Sequence, residues 1–513
     1  METSLITEDR ILFIKYRVGV LDKQVLGRGA VYIYIQFIVS AISGYVFWLI
    51  MTQLTSSALI GSLSVVIATT EILASVAVVG LPDSLQRFLG KFFYERKPSE
   101  SKIYVSGSLF ILAAGIIISS LFIFFAGFLF NFSEFDSNLK LIMILIIASN
   151  SIQTLLSSVV ISSLNTKSLP IINILSSTVK IVLSIILILL GNGVTVLAFS
   201  YLLVPNILSS ILLAIITINL LKPVSKKEES QNKIGFKRAS RELFVGGVAN
   251  WIPLLITTIG YQLGTIVIFG FKGSSDTAVY FLTLNIVTAI LFAAVSLFTI
   301  ALPALSSIQD ARKRLAWQTI RWSALISIPL SASLIFYSDD IMRLFGENYV
   351  HGDLSLQILL LSILPTIIAS GIGNLVFSYG NYKQSFTIDF AMSLPRTALY
   401  FILIPIYGIA GGAISFLIGS LLALAVSIII ISKIKMIILW RDLAIIFIIP
   451  IAIGFLMHIL QVNFIVGILV TIIVTYVLLL KFHIILPGDL DDSINLLPSG
   501  ISNQISRFLK KIY

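Results

Sequence analysis

Long apolar runs separated by short polar breaks dominate the chain. A membrane-spanning helix needs about 20 mostly apolar residues. On that rule the pattern predicts helices near 30–54, 59–79, 103–130, 139–163, 171–191 and 194–221. After a long polar interruption come 243–270, 278–304, 319–337, 354–379, 386–406, 409–431, 442–460 and 464–481. The expectation is an all-α polytopic membrane protein with about 14 transmembrane helices. Turns in the tightest pairs are marked by GNG at 191–193 and YGIAGG at 407–412, where glycine frees the backbone.

The interruption is Lys222–Glu242, with seven Lys/Arg and three Glu. Charges are costly in lipid, so this segment lies in water. Its basic excess predicts a cytoplasmic location, because positively charged loops are retained on that side. It divides the chain into an N-terminal lobe (1–221), the basic loop (222–242), a C-terminal lobe (243–431), two further spans (432–481) and a tail (482–513). Fourteen spans place both termini beside the loop, in the cytoplasm. Of the 35 Lys/Arg, 30 then fall inside, three outside (Lys140, Lys272, Arg343) and two within spans. External loops are acidic, with Glu134, Asp136, Asp276, Asp339, Asp340, Glu347 and Asp353. Residues 341–350 predict a short external helix stopped at Gly346, and 501–512 either a basic amphipathic tail helix or a disordered basic tail.

Composition sharpens this picture. Of the 513 residues 57% are hydrophobic and 12% charged, and the mean hydropathy is +1.03. The net charge of +11 belongs to membrane-facing loops rather than to nucleic acid. No cysteine is present and the three histidines are scattered, which argues against thiol chemistry, a metal site or a bound cofactor. No cleavable signal peptide is visible, and the first span is expected to act as an uncleaved anchor.

The halves look like copies. Asn165, Lys167, Asn173 and Lys180 share the spacing of Asn381, Lys383, Asp389 and Arg396. The second and eighth spans both run into Leu-Pro, at Leu81-Pro82 and Leu302-Pro303. Each half starts on the same side with six spans, so the expected architecture is two parallel six-helix lobes plus two C-terminal helices.

Charges inside spans are the candidate functional residues: Glu71, Lys180, Asp389 and Arg396. Each costs about 2.5–3.5 kcal/mol at a helix centre on insertion scales, so lipid-facing positions are disfavoured. Asp389 and Arg396, seven apart, share a helix face, as do Asn173 and Lys180. Two readings stay open. Lys180 and Arg396 face each other across a central cavity and bind an anion. Or Lys180 pairs with Glu71 and Arg396 with Asp389 as buried ion pairs. The two acids are also candidates for carrying a coupling proton or sodium ion. Pro205, Pro253, Pro329, Pro365, Pro395, Pro405 and Pro450 lie within spans, as kinks or as tolerated breaks.

Several stretches carry a resemblance. LPALSSIQD (302–310), the Pro329 span, RLFGENYV (343–350), YGNYKQ (379–384) and LIPIYGIAGGAIS (403–415) resemble the Wzx-type polysaccharide transporters. That branch belongs to the multidrug/oligosaccharidyl-lipid/polysaccharide exporter superfamily. Residues 59–88 are similar to the family's second span and its cytoplasmic loop. The resemblance implies a flippase, not an enzyme. It implies movement of a polyprenyl-(pyro)phosphate-linked oligosaccharide across a prokaryotic cytoplasmic membrane by alternating access, by a functional monomer among membrane lipids. Cationic cavity residues of related lipid II flippases then point to Lys180 and Arg396, with Arg28 and Asn173 as further substrate-binding candidates. The alternatives are a drug/cation antiporter of the sister branch, which favours an acidic, aromatic cavity, and a membrane-embedded glycan polymerase or glycosyltransferase. Asp489-Leu490-Asp491 is a weak signal for the last, since no nucleotide-binding domain accompanies it.

The charge asymmetry sets a topology test. Single cysteines at Ser230 and Asp339 should label from opposite sides in intact cells, Asp339 from outside. Labelling of Ser230 from outside with Asp339 silent would overturn the assignment.

Overall fold

The computed structural model describes Tyr32, Ile35, Gln36 and residues 38–95, 97–126, 136–164, 166–191, 193–222, 235–307, 312–482 and 484. Arg28, residues 223–234 of the basic segment and the amphipathic tail lie outside this set. Among the described residues the fold is helical, with no strand. Without water in the bilayer core, each spanning segment must satisfy its own backbone, and helices do so.

The N-terminal lobe comprises α1 (Ile38–Leu54), α2 (Ser57–Val78), α3 (Leu81–Tyr94), α4 (Pro98–Ala126), α5 (Ser137–Ser162), α6 (Ser168–Leu190) and α7 (Val194–Leu220). The C-terminal lobe comprises α8 (Phe236–Lys272), α9 (Ser274–Ser307), α10 (Arg312–Phe336), the short α11 (Ser338–Arg343), α12 (Asp353–Leu361), α13 (Ile363–Ser378) and α14 (Tyr382–Ile434). Finally α15 (Trp440–Ile459) and α16 (Phe464–Lys481) pack together and onto α10. Among the described residues twelve helical segments, with Glu347–Ser378 taken as one, are long and apolar enough to cross a membrane. The 53-residue α14 breaks at Gly408, whose φ of 59° and ψ of −133° interrupt the helix. Counting its two halves and the shorter apolar α1 gives the fourteen predicted crossings.

The two lobes repeat where the turns fall. The interval from Lys180 to Arg396 also separates Asn192, between the glycines that end α6 and begin α7, from Gly408. The Leu-Pro matches behave differently. Leu81-Pro82 opens α3 after Val79 and Gly80, both at positive φ, whereas α9 runs unbroken through Leu302-Pro303.

Sequence reasoning read 80–102 as a loop, and the structure puts an amphipathic helix there. Leu81, Leu85, Leu89 and Phe92 form its buried stripe, while Arg87 and Lys91 face out. Pro82 near its start and Asp83 in its first turn suit a helix N-terminus. The predicted external helix is also present, starting earlier, at Ser338. Gly346 at φ 123° separates it from the 3₁₀ turn Glu347–Gly352.

Helix α8 begins at Phe236, inside the stretch assigned to the basic loop. Its first turns pack on the N-terminal lobe. The Tyr104 hydroxyl donates to Glu242, which also pairs with Arg238 at 2.9 Å. These partners hold the Glu242 carboxyl below its usual range. Trp251 Nε1 donates to the Ser75 carbonyl at 2.9 Å. The later turns pack on the C-terminal lobe, with the Tyr400 hydroxyl on the Gly260 carbonyl at 2.9 Å. The lobe boundary thus falls within one helix, beside Pro253.

Helix α2 is the main N-terminal contact of α8 and α9. It touches them at both ends through glycine. A Cβ at Gly61 would lie 1.7 Å from the Ser274 carbonyl oxygen, and one at Gly80 2.2 Å from that of Gly247. The first contact is at the acidic end of the molecule, beside Ser57 Oγ–Ser275 Oγ at 3.2 Å and Gln53 Nε2 donating to the Leu344 carbonyl at 3.3 Å. The second is at the basic end.

The Gly61 contact gives a direct test. Cysteines at Ser57 and Ser275 should form a disulfide readily in the closed protein. Adding Gly61→Val forces the backbones apart, and cross-linking should fall at least several-fold. Equal cross-linking with and without the valine would show that this closure does not depend on Gly61.

Candidate functional site

Helix α6 is fixed to α1 by a polar ladder. The Asn173 amide donates to the Gln36 carbonyl at 3.2 Å and to Ser40 Oγ, and Ser177 Oγ donates to Asn173 Oδ1 at 3.3 Å. Ser43 Oγ reaches Ser177 Oγ at 3.1 Å. Asn173, Ser177 and Lys180 recur at i, i+4 and i+7, so one face presents them together. The ladder therefore aims Lys180 at the neighbouring aromatic rings.

The Lys180 ammonium lies 5.6 Å from the Phe47 ring centre and 5.0 Å from that of Tyr201. Those rings touch each other at 4.4 Å, and Trp48 extends the cluster to Phe281 of the other lobe. Lys180 has no hydrogen-bond or ion-pair partner among the described residues. Tyr201 sits in a π-helical turn, Phe199–Leu203, within α7. Pro205 accounts for that turn. It has no N–H to give the Tyr201 carbonyl, and the Val204 N–H bonds Phe199 O one residue further back.

Arg396 is placed otherwise. It has no accessible surface. Its guanidinium stacks 3.5 Å from the Phe416 ring centre and 5.1 Å from that of Tyr261. Nη2 donates to Ser420 Oγ at 3.1 Å and to the Phe416 carbonyl at 3.4 Å. Nε and Nη1 have no hydrogen-bond partner among the described residues. Arg396 is therefore packed inside the C-terminal lobe, and Lys180 against α1 and α7. In this conformation the structure does not bring the two cations to one open cavity.

The ion-pair reading fails as well. Asp389 has no polar partner among the described residues, although Arg396 lies two turns away on its own helix. Glu71 accepts from the Gln262 side chain, not from Lys180. That bond joins α2 to α8, midway between the two glycine contacts, and so crosses the lobe boundary.

Two cavities lie between the lobes. One of about 310 Å³ separates α1 from α9 and is mainly apolar, with Tyr45, Trp48, Asn285 and Phe292 in its wall. The other, about 480 Å³, is at the basic end. Asp83 of α3, Pro253 and Thr257 of α8, Phe377 of α13, and Tyr382, Lys383, Ser385, Phe386 and Asp389 of α14 line it. Of the described candidate site residues Glu71, Asn173, Lys180, Asp389 and Arg396, Asp389 lines it. Asp83 went unnoticed because it follows a span and reads as an ordinary loop charge. Its side chain is open to the cavity yet ringed by protein, which lifts its carboxyl above the usual range. Among the described residues no group of His, Cys, Asp or Glu is arranged to hold a metal.

This architecture is similar to solved transporters. The lipid II flippase MurJ in an inward closed conformation superposes with a TM-score of 0.59 at 18% identity, covering 87% of this chain and 99% of MurJ. A MATE transporter in complex with MaL6 gives 0.57 at 14%, covering 80% and 96%. A MOP superfamily transporter from Pyrococcus furiosus, described as having a binding pocket of reverse polarity, gives 0.57 at 14%, covering 80% and 97%. At these identities the likeness establishes the fold. No curated protein sequence matches. The sequence model of the family described as polysaccharide biosynthesis protein matches residues 26–309, more than half of the chain. By that match the protein belongs to the polysaccharide biosynthesis protein family, and its fold is that of these solved transporters.

Proposed function

We propose that the protein flips a polyprenyl-(pyro)phosphate-linked oligosaccharide across the cytoplasmic membrane by alternating access. It works as a monomer with both termini in the cytoplasm. The observation that carries this reading is Lys180. A full positive charge sits about 12 residues, roughly 18 Å at 1.5 Å per residue, inside α6 with no carboxylate beside it. Aromatic faces supply about 2 kcal/mol to a desolvated cation. A phosphate offers charge-assisted hydrogen bonds that are shorter and about twice as strong as neutral ones. The rings thus hold the ammonium in the empty transporter and release it to the headgroup.

Glu71, joined to Gln262 across the lobe boundary, is the acid through which a coupling proton or sodium ion would act on lobe closure. Arg28 remains a proposed headgroup contact on charge alone. Asn173 supports the α1–α6 ladder, and Arg396 is proposed to set the packing of the C-terminal lobe. A second reading, an organic-cation antiporter, is favoured by one feature: the basic-end cavity is acidic and aromatic.

Reconstituted vesicles separate these roles. Lys180→Gln should cut flipping of lipid-linked oligosaccharide at least tenfold with little change in melting temperature. Lys180→Arg should keep part of the activity. Undiminished flipping by Lys180→Gln would remove the lysine from the mechanism. Arg396→Gln should instead lower thermal stability. Asp389→Asn should not rescue it, since the two do not touch, and their effects should add within about 0.5 kcal/mol. Rescue by the paired change would restore the ion-pair reading.

A further inference from the structure

The basic-end cavity needs an occupant that explains all of its walls. We propose that it is a saccharide subsite selecting neutral or amino sugars over acidic ones, a specificity that rests on the flippase reading above.

Its volume of about 480 Å³ falls within the roughly 300–1,000 Å³ typical of small-ligand sites. Asp83 and Asp389 line it, and neither has an ion-pair or hydrogen-bond partner among the described residues. An ionised carboxylate is purely an acceptor. Sugar hydroxyls are the complementary donors, and hydrogen bonds to a charged acceptor are the strong kind. Thr257 and Ser385 add hydroxyls of either sense. Phe377, Tyr382 and Phe386 give apolar ring surface for the C–H faces of a pyranose, and Phe377 meets Tyr382 edge-on at 5.0 Å.

Charge decides the class of sugar. Two aspartates and Lys383 leave the wall with a net charge of −1 when all are ionised. A uronate or other acidic sugar would bring a like charge against the unpaired carboxylates, which is how a site rejects a wrong partner. Lys383 in the same wall weakens the case for a bulky organic cation. The two acids also come from different lobes, Asp83 from α3 and Asp389 from α14. A sugar held by both would draw the lobes together at the basic end, so recognition and closure are one event. Asp389 lies seven residues into α14 and Lys180 twelve into α6, so the phosphate contact is the deeper of the two.

The test uses the full chain in lipid nanodiscs with two probes, N,N′-diacetylchitobiose and a glucuronate-terminated disaccharide, and follows Trp251 fluorescence or calorimetry. The neutral disaccharide should bind at least tenfold more tightly. Asp83→Asn and Asp389→Asn should each weaken it severalfold and narrow the preference, with melting temperatures monitored to exclude unfolding. Lys383→Gln should weaken the acidic probe further. Equal binding of both probes, or neutral binding untouched by both aspartate variants, would overturn the subsite. If Lys180-dependent flipping persists in that case, the flippase reading stands without it. Saturable binding and transport of tetraphenylphosphonium, with no flipping of a lipid-linked glycan, would overturn both and favour the antiporter.

Discussion

Inside a bilayer, helices gain little by leaving lipid for one another, because lipid tails are as apolar as leucine. Close backbone contact at small residues has to do the work instead. Here that contact is concentrated in α2. Gly61 lets its backbone meet Ser274 at one end, and Gly80 lets it meet Gly247 at the other. Between them, Glu71 and Gln262 form the polar bridge. The Gly61–Ser274 contact and the Glu71–Gln262 bond cross the lobe boundary, while Gly80–Gly247 fixes the first turns of α8 to the N-terminal lobe. At Gly61 the surfaces meet through backbone and small side chains, whereas beside Gly80 the Trp251 indole also bonds the Ser75 carbonyl. The buried apolar core is continuous across this joint, with Phe47, Trp48 and Leu63 in one cluster with Phe281 and Leu282. Helix α8 supports the same joint, since its first turns belong to one lobe's packing and its later turns to the other's.

The four intramembrane charges behave according to the geometry of their neighbours. Arg396 is planar and lies flat against Phe416, with one amino group spent on Ser420 and a carbonyl, so it is at home in a packed interior. Lys180 is a point charge on a flexible stem, resting on two rings and with no hydrogen-bond or ion-pair partner among the described residues. The first is built in, and the second is free to be recruited. A buried pair such as Lys180–Glu71 would have removed that freedom, because separating its partners costs about 3–5 kcal/mol.

Much of this was legible along the chain. The span count followed from apolar length, and the breaks at 191–193 and Gly408 from glycine in tight polar gaps. Apolar length alone misses α3, since its charges break the run, although Leu81, Leu85, Leu89 and Phe92 carry its helical period. Pro205 was visible, whereas its consequence, a π turn that carries Tyr201 to Lys180, depends on which carbonyl loses its donor. The pairing of Lys180 with Arg396 failed for a different reason. Helical spacing gives the face a residue occupies but not the neighbour that face meets, and Arg396 meets Tyr261 and Phe416 of its own lobe. Asp83 was hidden because its partner surface, on α8, α13 and α14, is more than 160 residues away in sequence.

The proposed contacts, cationic at Lys180 and acidic at Asp83 and Asp389, fit a substrate with two kinds of head chemistry. A phosphate joined to a neutral sugar has an acceptor-rich anion at one end and a donor-rich polyol at the other. In the proposed mode of binding, Lys180 complements the first, and Asp83 with Asp389 the second. A ligand shifts a two-state equilibrium only by binding the two states differently. The phosphate contact lies on one lobe and would bind alike before and after closure. The sugar contact is shared between lobes and exists fully only when they approach. On this arrangement the phosphate supplies affinity for the class of substrate, and the sugar supplies the difference in affinity that drives the conformational change.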